Sequence, residues 1–578
     1  MHKCAKSVQI IAQNCTFVHD CVHISLNIVN FVYANITVYN NCHTFAADLA
    51  KNCLKDMKKI AILFASVMLG AASTATAGGI LTNTNQSIDF LRNPARDAAI
   101  GIDGVYSNPA GVAFLPEGFH LGFNWQYAHQ TRTITSTNPV FALGRKNDGN
   151  STKIFEGVAD APFIPSLQAA YNKGNWSVQF NFSIPGGGGS CEFADGLGSF
   201  ESVVGNIANQ LKGLDQIATA LGQTAPGVSG YDMDGYMQGR QYYFGFQLGA
   251  AYKITPDLSV YGGLRLLYGN ATYKAKISNI QVKTAGGYVE FGSFLQSATA
   301  MVDGGITYVN TSLEQVNAGM AQYEAAGATS TAEYQQLAGM KAQLEGSAAQ
   351  LEATNVNLNQ LQKYSEGVNL LCNQSGVGVA PVLGIDYRVG PFNFAAKYEF
   401  KTQIHMTNES TVNKASEIPA VNKFRDAEKI DEDIPAQLAV GAMWNITDAI
   451  RLNLGYHHFY DKNARWYNNT QDLLDGGTNE YLGGVEWDVT DKLTISAGAQ
   501  ATRYQLTDAY MNDMSFVVNS SSFGFGFNYK ATEHITLKAA YFQTNYEDYD
   551  RITSREPLIS DSFTRTNRVL GIGCELNL

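Results

Sequence analysis

Four cations are the side chains of this sequence best suited to bind an anion. Each lies on the polar side of a segment in which apolar and polar residues alternate, and a carboxylate removed from water needs a charge-assisted partner of this kind. An acid of the protein itself could also be that partner, because Glu399 shares a side of its segment with Lys397 and Lys401. The four candidates are Arg265, Lys397, Arg451 and Lys538.

Catalytic motifs are absent from the sequence. There is no Gly-x-Ser-x-Gly nucleophile turn, no His-Glu-x-x-His zinc helix and no Gly-x-x-x-x-Gly-Lys phosphate loop. His457 and His458 are adjacent in an alternating segment, so their side chains point to opposite faces and cannot chelate one metal ion. We therefore expect a protein that is not an enzyme and that has no metal or other cofactor.

The segments that carry the four cations are joined by turns of one repeated type. An aromatic residue is followed by a short polar stretch centred on threonine, after which the alternation resumes. This pattern predicts a close reversal between two antiparallel strands. It occurs at residues 252–258, 444–450, 487–493 and 529–535.

Alternation extends over fourteen segments, which we interpret as strands. Short and long connections follow each other in turn, which predicts an all-β fold, a transmembrane antiparallel β-barrel with short periplasmic turns and long outer loops. A soluble β-sandwich has the same period, but fourteen long strands exceed an ordinary sandwich. The predicted strands are residues 118–135, 163–171, 176–184, 241–252, 258–277, 377–387, 392–404, 437–444, 450–460, 481–487, 493–504, 517–529, 535–546 and 563–578.

A secretory signal is predicted at residues 57–77. Two lysines precede an apolar run over residues 60–72, and Ala75-Thr76-Ala77 follows as a cleavage site near Ala77. The run is too short for a membrane-spanning helix. We expect a mature chain that begins at Gly78 and is exported to the outer membrane of a Gram-negative bacterium.

Residues 1–56 precede this signal and contain five of the eight cysteines. Their spacing fits no standard zinc motif, so we interpret the stretch as a mis-called upstream leader rather than a metal-binding module. The few cysteines that follow the leader suit an exported envelope protein. The formal charge of −11 gives no reason to expect binding to nucleic acid.

Residues 78–117 do not alternate, and their Asn-Pro and Gly dipeptides indicate compact turns. A segment of this kind ahead of a barrel over residues 118–578 could lie inside the lumen as a plug. Its most distinctive motif is Asn108-Pro109-Ala110, which follows a Gly- and Ala-rich stretch and precedes the first strand at Gly118.

On this motif, and on the turn and strand at residues 250–265, the chain resembles the FadL/TodX family of outer-membrane transporters for long-chain fatty acids and other hydrophobic compounds. The resemblance covers nearly all of residues 78–578. It implies a monomeric fourteen-stranded barrel, a hatch at Asn108-Pro109-Ala110, and sideways release of ligand at a kinked strand. The chain departs from the family in ending at Leu578, where outer-membrane barrels often end in an aromatic residue.

Two outer loops, at residues 187–239 and 283–375, change to a helical period. Capping boxes at Ser312 and Ser330 predict a helical hairpin in the second loop. The apolar sides of these helices could form a landing groove for ligand, or could simply pack on each other and on the barrel mouth. Cys191 and Cys372 both fall on outer loops and are candidates for a disulfide, whereas Cys574 would face lipid.

The leading hypothesis is passive transport of long-chain fatty acids or similar hydrophobic molecules through a plugged, monomeric barrel. Its partners would be the hydrophobic ligand and the lipid of the outer membrane. Two alternatives stay open: import of aromatic hydrocarbons by the same fold, and a structural or adhesive barrel that binds a partner through its helical loops.

Overall fold

The computed structural model describes residues 80–412 and 419–578. The predictions of an upstream leader at residues 1–56 and of a signal peptide at residues 57–77 lie outside the described residues. No helix in the described part of the chain is both long enough and apolar enough to cross a membrane.

The described strands form one closed antiparallel barrel, which confirms the predicted fold class. Fourteen strands make up its wall, and the first pairs with the last, so that His120 lies opposite Asn577. The wall strands are β1 (Gly118–Thr137), β2 (Thr152–Lys173), β3 (Trp176–Phe193), β4 (Gly230–Lys253), β5 (Leu258–Thr284), β7 (Val368–Val389), β8 (Phe392–Glu399), β11 (Gln437–Asn445), β12 (Ile450–Phe459), β13 (Thr478–Asp488), β14 (Leu493–Arg503), β15 (Ser520–Lys530), β16 (Ile535–Tyr546) and β18 (Leu558–Asn577).

Short strands extend the wall on its outer side. They are β6 (Gly287–Glu290), β9 (His405–Val412), β10 (Lys429–Asp431) and β17 (Tyr549–Arg555).

Several predicted bounds are wrong. Four strands are about nine to eleven residues longer on their outer side than predicted, since β2 begins at Thr152, β3 ends at Phe193, β4 begins at Gly230 and β7 begins at Val368. The outer loops predicted at residues 187–239 and 283–375 are correspondingly shorter. Two further bounds differ by fewer residues. The strand expected over residues 392–404 ends at Glu399, and β9 then pairs with the outer part of β7. The strand expected from residue 517 begins at Ser520.

The four threonine turns share one hydrogen-bond arrangement. In each turn the threonine Oγ1 accepts a hydrogen bond of 3.0 Å from the backbone N–H three residues later. The aromatic residue before each turn is exposed on the outer surface of the barrel, as expected for an interfacial girdle. The turns are at Thr255, Thr447, Thr490 and Thr532.

Large apolar side chains cover the outward face of the wall. On β18, Leu570 and Ile572 are 55% and 53% exposed, whereas Val569 on the inward face is fully buried. Phe523, Phe525 and Phe527 on β15 follow the same rule, since all three are exposed. An apolar outer face around a polar interior is the arrangement of a barrel that spans a membrane.

Both long outer loops contain the expected helices, with different starting points. The first helix of the hairpin begins at Phe291, where the Glu290 side chain accepts from the backbone N–H groups of Gly292 and Ser293. Ser312 therefore lies inside a helix and caps nothing. Thr331, not Ser330, caps the second helix, because its Oγ1 accepts from the Tyr334 N–H.

The α-helices are α1 (Ile88–Arg92), α2 (Gly104–Ser107), α3 (Gly198–Leu211), α4 (Leu214–Ala220), α5 (Phe291–Ala325) and α6 (Ala332–Leu361). Short 3-10 helices occupy Gly111–Phe114, Pro139–Leu143, Arg145–Asn147, Gln362–Tyr364, Pro419–Phe424, Asp461–Asn463 and Tyr467–Leu473. Near the barrel, α5 and α6 bury an apolar seam that includes Val302, Leu351 and Leu358.

The predicted disulfide between Cys191 and Cys372 is wrong, since both thiols are free. Strand register gives the reason. Cys191 lies opposite Gly239, Gly239 opposite Tyr273, and Tyr273 opposite Cys372. The two cysteines are therefore three strand spacings apart, roughly 14 Å, which is beyond the reach of a disulfide. Cys574, on β18, is also free.

Candidate functional site

Residues 80–117, called the hatch segment below, fill the periplasmic half of the lumen. Its helix α1 is entirely buried, and it packs against β14, β15, β16, β18 and β1. Two strand glycines explain this close approach. A Cβ at Gly524 would collide with the Leu91 carbonyl oxygen, and a Cβ at Gly484 would collide with the Asn93 side chain. The wall is thus shaped to admit the segment.

Glu486, on the inward face of β13, is the centre of a buried charge network. Its Oε1 lies 2.7 Å from Arg92 Nη1 and 2.9 Å from Arg96 Nη1, and its Oε2 lies 3.3 Å from Arg451 Nε. Arg96 also pairs with Asp103 at 2.8 Å. One wall carboxylate therefore binds two arginines of the hatch segment and one of the wall.

Lys538 fixes the other side of the hatch segment. Its Nζ lies 2.5 Å from Asp89 Oδ2 and 2.8 Å from Glu575 Oε2. Burial raises the pKa of Asp89, but the charges of Lys538, Arg92 and Arg96 outweigh that effect and hold the pKa well below its usual range. Asp89 is therefore ionised and is held by its charged partners.

The remaining predicted cations also have protein partners. Arg265 pairs with Glu399, donates to Gln247 Oε1 at 2.6 Å, and lies 4.8 Å from the ring centre of Tyr106. Lys397 donates to the Tyr106 carbonyl oxygen at 3.0 Å. Arg451 binds Asp488 at 2.6 Å as well as Glu486. The alternation of apolar and polar residues along each strand, called parity below, placed all four cations correctly inside the barrel. There they bind the hatch segment or acidic residues of the wall.

The Asn108-Pro109-Ala110 motif joins the end of the hatch segment to three strands. Asn108 Nδ2 donates to Asp386 Oδ2 of β7 at 2.5 Å. The Pro109 carbonyl accepts from Gln179 of β3, and the Ala110 carbonyl accepts from Ser259 of β5, both at 2.7 Å. A hatch role for the motif stays a prediction, and these bonds are what any movement would break.

Sequence reasoning missed the role of His457. Its Nε2 lies 2.8 Å from Asp97 of the hatch segment, and its Nδ1 lies 2.8 Å from Glu480 of β13. His458 points to the opposite face, as predicted, where its ring contacts Asn479. Parity identified one inward histidine, but nothing in the sequence paired it with an aspartate 360 residues away.

Above the hatch segment lies a cavity of about 490 Å³, called the upper cavity below. Leu81 contributes to its lining, and outer loops supply most of the remainder. Lys423 also lines it but is paired with Glu432 at 2.5 Å, and although burial lowers the pKa of Lys423, Glu432 outweighs it and raises that pKa. The ring side chains of the lining are Tyr273, Phe424, Trp466, Tyr467 and Tyr510.

Three arginines line a neighbouring space of about 110 Å³, which shares Leu81, Met237 and Tyr273 with the upper cavity. Arg132 of β1 and Arg565 of β18 are directly opposite each other in the barrel seam. Like charges in this position repel, so a bound anion between them would be stabilising. The third is Arg240, whose Nε is buried and has no hydrogen-bond partner among the described residues.

The barrel wall is interrupted beside this space. The β2–β3 ladder breaks between the pairs Leu167–Phe182 and Val158–Glu192, and we call this break the wall gap. On β3, two bulges flank Gly186, and Gly187 has a φ of 98°. Backbone groups here are satisfied by the hatch segment, since Asn83 N–H donates to the Pro185 carbonyl at 2.8 Å and Gly187 N–H donates to the Leu81 carbonyl at 3.1 Å.

Comparison with solved structures identifies the fold. The structure of a Pseudomonas aeruginosa FadL homologue matches with a TM-score of 0.52 at 9% identity, over 86% of this chain and 100% of that one. The chain has the fold of that FadL homologue. No family model and no curated protein matches the sequence.

Two toluene transporters give lower scores. TodX of P. putida matches with a TM-score of 0.46 at 12% identity, over 87% of this chain and 99% of that one. TbuX of Ralstonia pickettii matches with a TM-score of 0.43 at 13% identity, over 88% of this chain and 100% of that one.

Proposed function

We propose that this barrel carries hydrophobic small molecules, and long-chain fatty acids in particular, across an outer membrane. The observation that carries the proposal is the upper cavity. It is lined by rings from several outer loops and by Leu81 of the hatch segment, and the neighbouring arginine-lined space reaches β3 at Gly189 and Cys191, beside the wall gap. The shared fold with a FadL homologue supports the same reading.

The route follows from the order of these parts. A hydrophobic molecule enters between the outer loops and fills the upper cavity, where burial of apolar surface provides the driving force. The hatch segment blocks the way down, so the molecule leaves sideways through the wall gap. Leaving requires the bonds from Leu81 and Asn83 to β3 to open, because they hold the hatch segment against β3 at the gap.

A carboxylate at one end of the ligand fits the arginines beside the upper cavity. Arg132 and Arg565 would bind it, and Arg240 offers a further buried donor. The alkyl chain would then lie against Tyr273 and Met237, which both spaces share. This arrangement favours a fatty acid over a neutral aromatic hydrocarbon, the alternative cargo.

Replacing the seam arginines tests that preference. We expect Arg132→Gln with Arg565→Gln to weaken binding of oleate to the purified barrel, while binding of toluene is unchanged. Hydrogen bonds to charged groups contribute about 1.5–3 kcal/mol, which corresponds to about a 10- to 100-fold loss. Isothermal titration calorimetry would measure both ligands.

Arg568→Gln is the matched control, since Arg568 lies on the same strand but on the outward face, opposite His129. It should leave oleate binding unchanged. Equal losses for oleate and toluene in the double variant would count against a carboxylate site. Binding of toluene alone by the unmodified protein would favour hydrocarbon import, and no binding of either ligand would favour a structural or adhesive barrel.

A further inference from the structure

The lipid-facing side of the barrel carries an apolar groove of about 680 Å³, here called the external groove. Strand register explains it. Phe527, Ala539, Ile572 and Trp125 form one outward row across β15, β16, β18 and β1. Ala539 is the one small side chain of that row, so the wall is recessed between its large neighbours.

The side-chain polar groups that line the groove are hydrogen-bonded within the protein. The hydroxyls of Tyr127 and Tyr541 donate to Asp160 and Gln543 at 3.2 and 2.7 Å. Its one indole N–H, from Trp125, donates to the Pro162 carbonyl at 2.8 Å. That bond also fixes the indole ring at the end of the groove. Because these polar groups already have partners, the largely apolar surface of the groove suits an alkyl chain.

Pro162 connects the external groove to the wall gap. It lines the groove, and it lies in the stretch of β2 between Val158 and Leu167 where pairing with β3 is broken. The β1–β2 ladder is irregular at the same place, between Gln126 and Ala128. A molecule that passes through the gap therefore emerges one strand away from the groove.

We propose that the external groove is a second binding site, in which an alkyl chain released through the wall gap is held before it disperses into the membrane. The inference rests on the proposed function and deepens it, because it gives the released fatty acid a defined place on the outside of the barrel. Continuity through Pro162 favours this occupant over an acyl chain of a resident phospholipid.

A photoactivatable diazirine fatty acid tests the proposal on the full barrel in lipid nanodiscs. Illumination should crosslink it to β15 and β16 in the unmodified protein. Ala539→Trp fills the recess and should reduce that labelling by about tenfold or more. Ala442→Trp is the matched control, since Ala442 faces lipid on β11 between Phe394 and Leu454 and lies outside the groove.

Three results would overturn the inference: equal labelling of the Ala539→Trp variant, equal loss in Ala442→Trp, or labelling by a diazirine phospholipid that free fatty acid does not displace. Ala539→Leu, a smaller change, covers the case in which the tryptophan variant fails to fold. Calorimetric binding of oleate in the same samples separates the two ideas. No oleate binding by the unmodified protein would contradict both ideas, whereas oleate binding together with equal labelling of Ala539→Trp would contradict the external groove alone.

Discussion

The two halves of the lumen are built from opposite materials. In the periplasmic half, the hatch segment is held by buried ion pairs centred on Glu486 and Lys538. In the outer half, the upper cavity is lined by rings, and the arginines of the seam face one another. The first half is packed with ion pairs, whereas the second encloses a cavity of about 490 Å³.

This difference separates the part of the lumen that positions the hatch segment from the part that would bind ligand. Buried ion pairs add little net stability because desolvation opposes the attraction, but removing one partner is costly, so they define where the hatch segment lies. The upper cavity combines five rings with polar side chains, including the paired Lys423 and Glu432, so hydrocarbon burial holds a ligand there and its selectivity depends on polar groups that can bind it. The seam arginines are those groups in the proposal above.

Removal of Glu486 should have the largest effect and should break the periplasmic half alone. Glu486→Ala leaves Arg92 and Arg96 without their shared wall carboxylate, which should cost about 3–5 kcal/mol. Urea unfolding in vesicles and single-channel conductance would detect a weakened hatch. Asp488→Asn is the control, since Asp488 is partly exposed and pairs with Arg451. If the two variants behave alike, the network does not hold the segment.

Changing the pH should act on Asp461, which follows the outer end of β12 and contacts Ile80 at the start of the hatch segment. Asp461 accepts from Thr478 N–H and Oγ1 at 2.8 and 2.6 Å, and burial raises its pKa to about 6. Since the folded pKa exceeds the unfolded one, near 3.9, its contribution is fully present below about pH 4 and is lost as the pH rises through 6. The loss should reach about 3 kcal/mol. Urea unfolding midpoints at about pH 4 and above pH 6 would measure this loss of stability. Asp461→Asn should remove the difference between the two midpoints. An unchanged difference in that variant would assign the effect to another group.

Replacing Gly187 in the bulged part of β3 should have a smaller effect, which is confined to the wall gap. Gly187 has a φ of 98°, and a Cβ there would collide with the Gln241 carbonyl oxygen. Gly187→Ala should cost about 1–3 kcal/mol and speed hydrogen exchange at the Gly187 amide. Gly174→Ala, in the open β2–β3 turn, should leave that exchange unchanged. Equal exchange in both variants would argue that the bulge does not depend on glycine.

The smallest effect is expected far from both halves. Leu337 lies on the half-buried, projecting part of α6, and Leu337→Ala should change the free energy of unfolding by less than about 1 kcal/mol. Leu358→Ala, at the buried base of the same helix, should cost about 2–5 kcal/mol. Oleate binding should be unchanged by Leu337→Ala. A clear loss would bring the hairpin into ligand capture.

Local patterns predicted the parts of the fold that depend on local forces. Strand period and threonine turns depend on neighbouring residues, so the wall was predictable to within a few residues at most strand ends. Parity alone placed Arg265 and Lys538 inside the barrel. Their depth along the strand, which decides whether they meet ligand or hatch segment, depends on the path of residues 80–117.

Register between distant strands was not predictable. Arg132 and Arg565 become neighbours only when β1 closes on β18, and Cys191 and Cys372 lie in one row but three strands apart. The first outer loop was predicted to begin at residue 187, yet Gly187 lies in the bulged part of β3 beside the wall gap. The arginine pair requires the closed cylinder, and the other two facts require the register between neighbouring strands.

The threonine turns also bear on how the cylinder is assembled. Each turn closes through bonds within a few residues, and loops of this size form in well under a microsecond. The seam, by contrast, joins His120 and Asn577 across 457 residues and must overcome a much larger loop entropy. We expect hairpins to form early and the seam to close last, so the two seam arginines would meet only in the final step of folding.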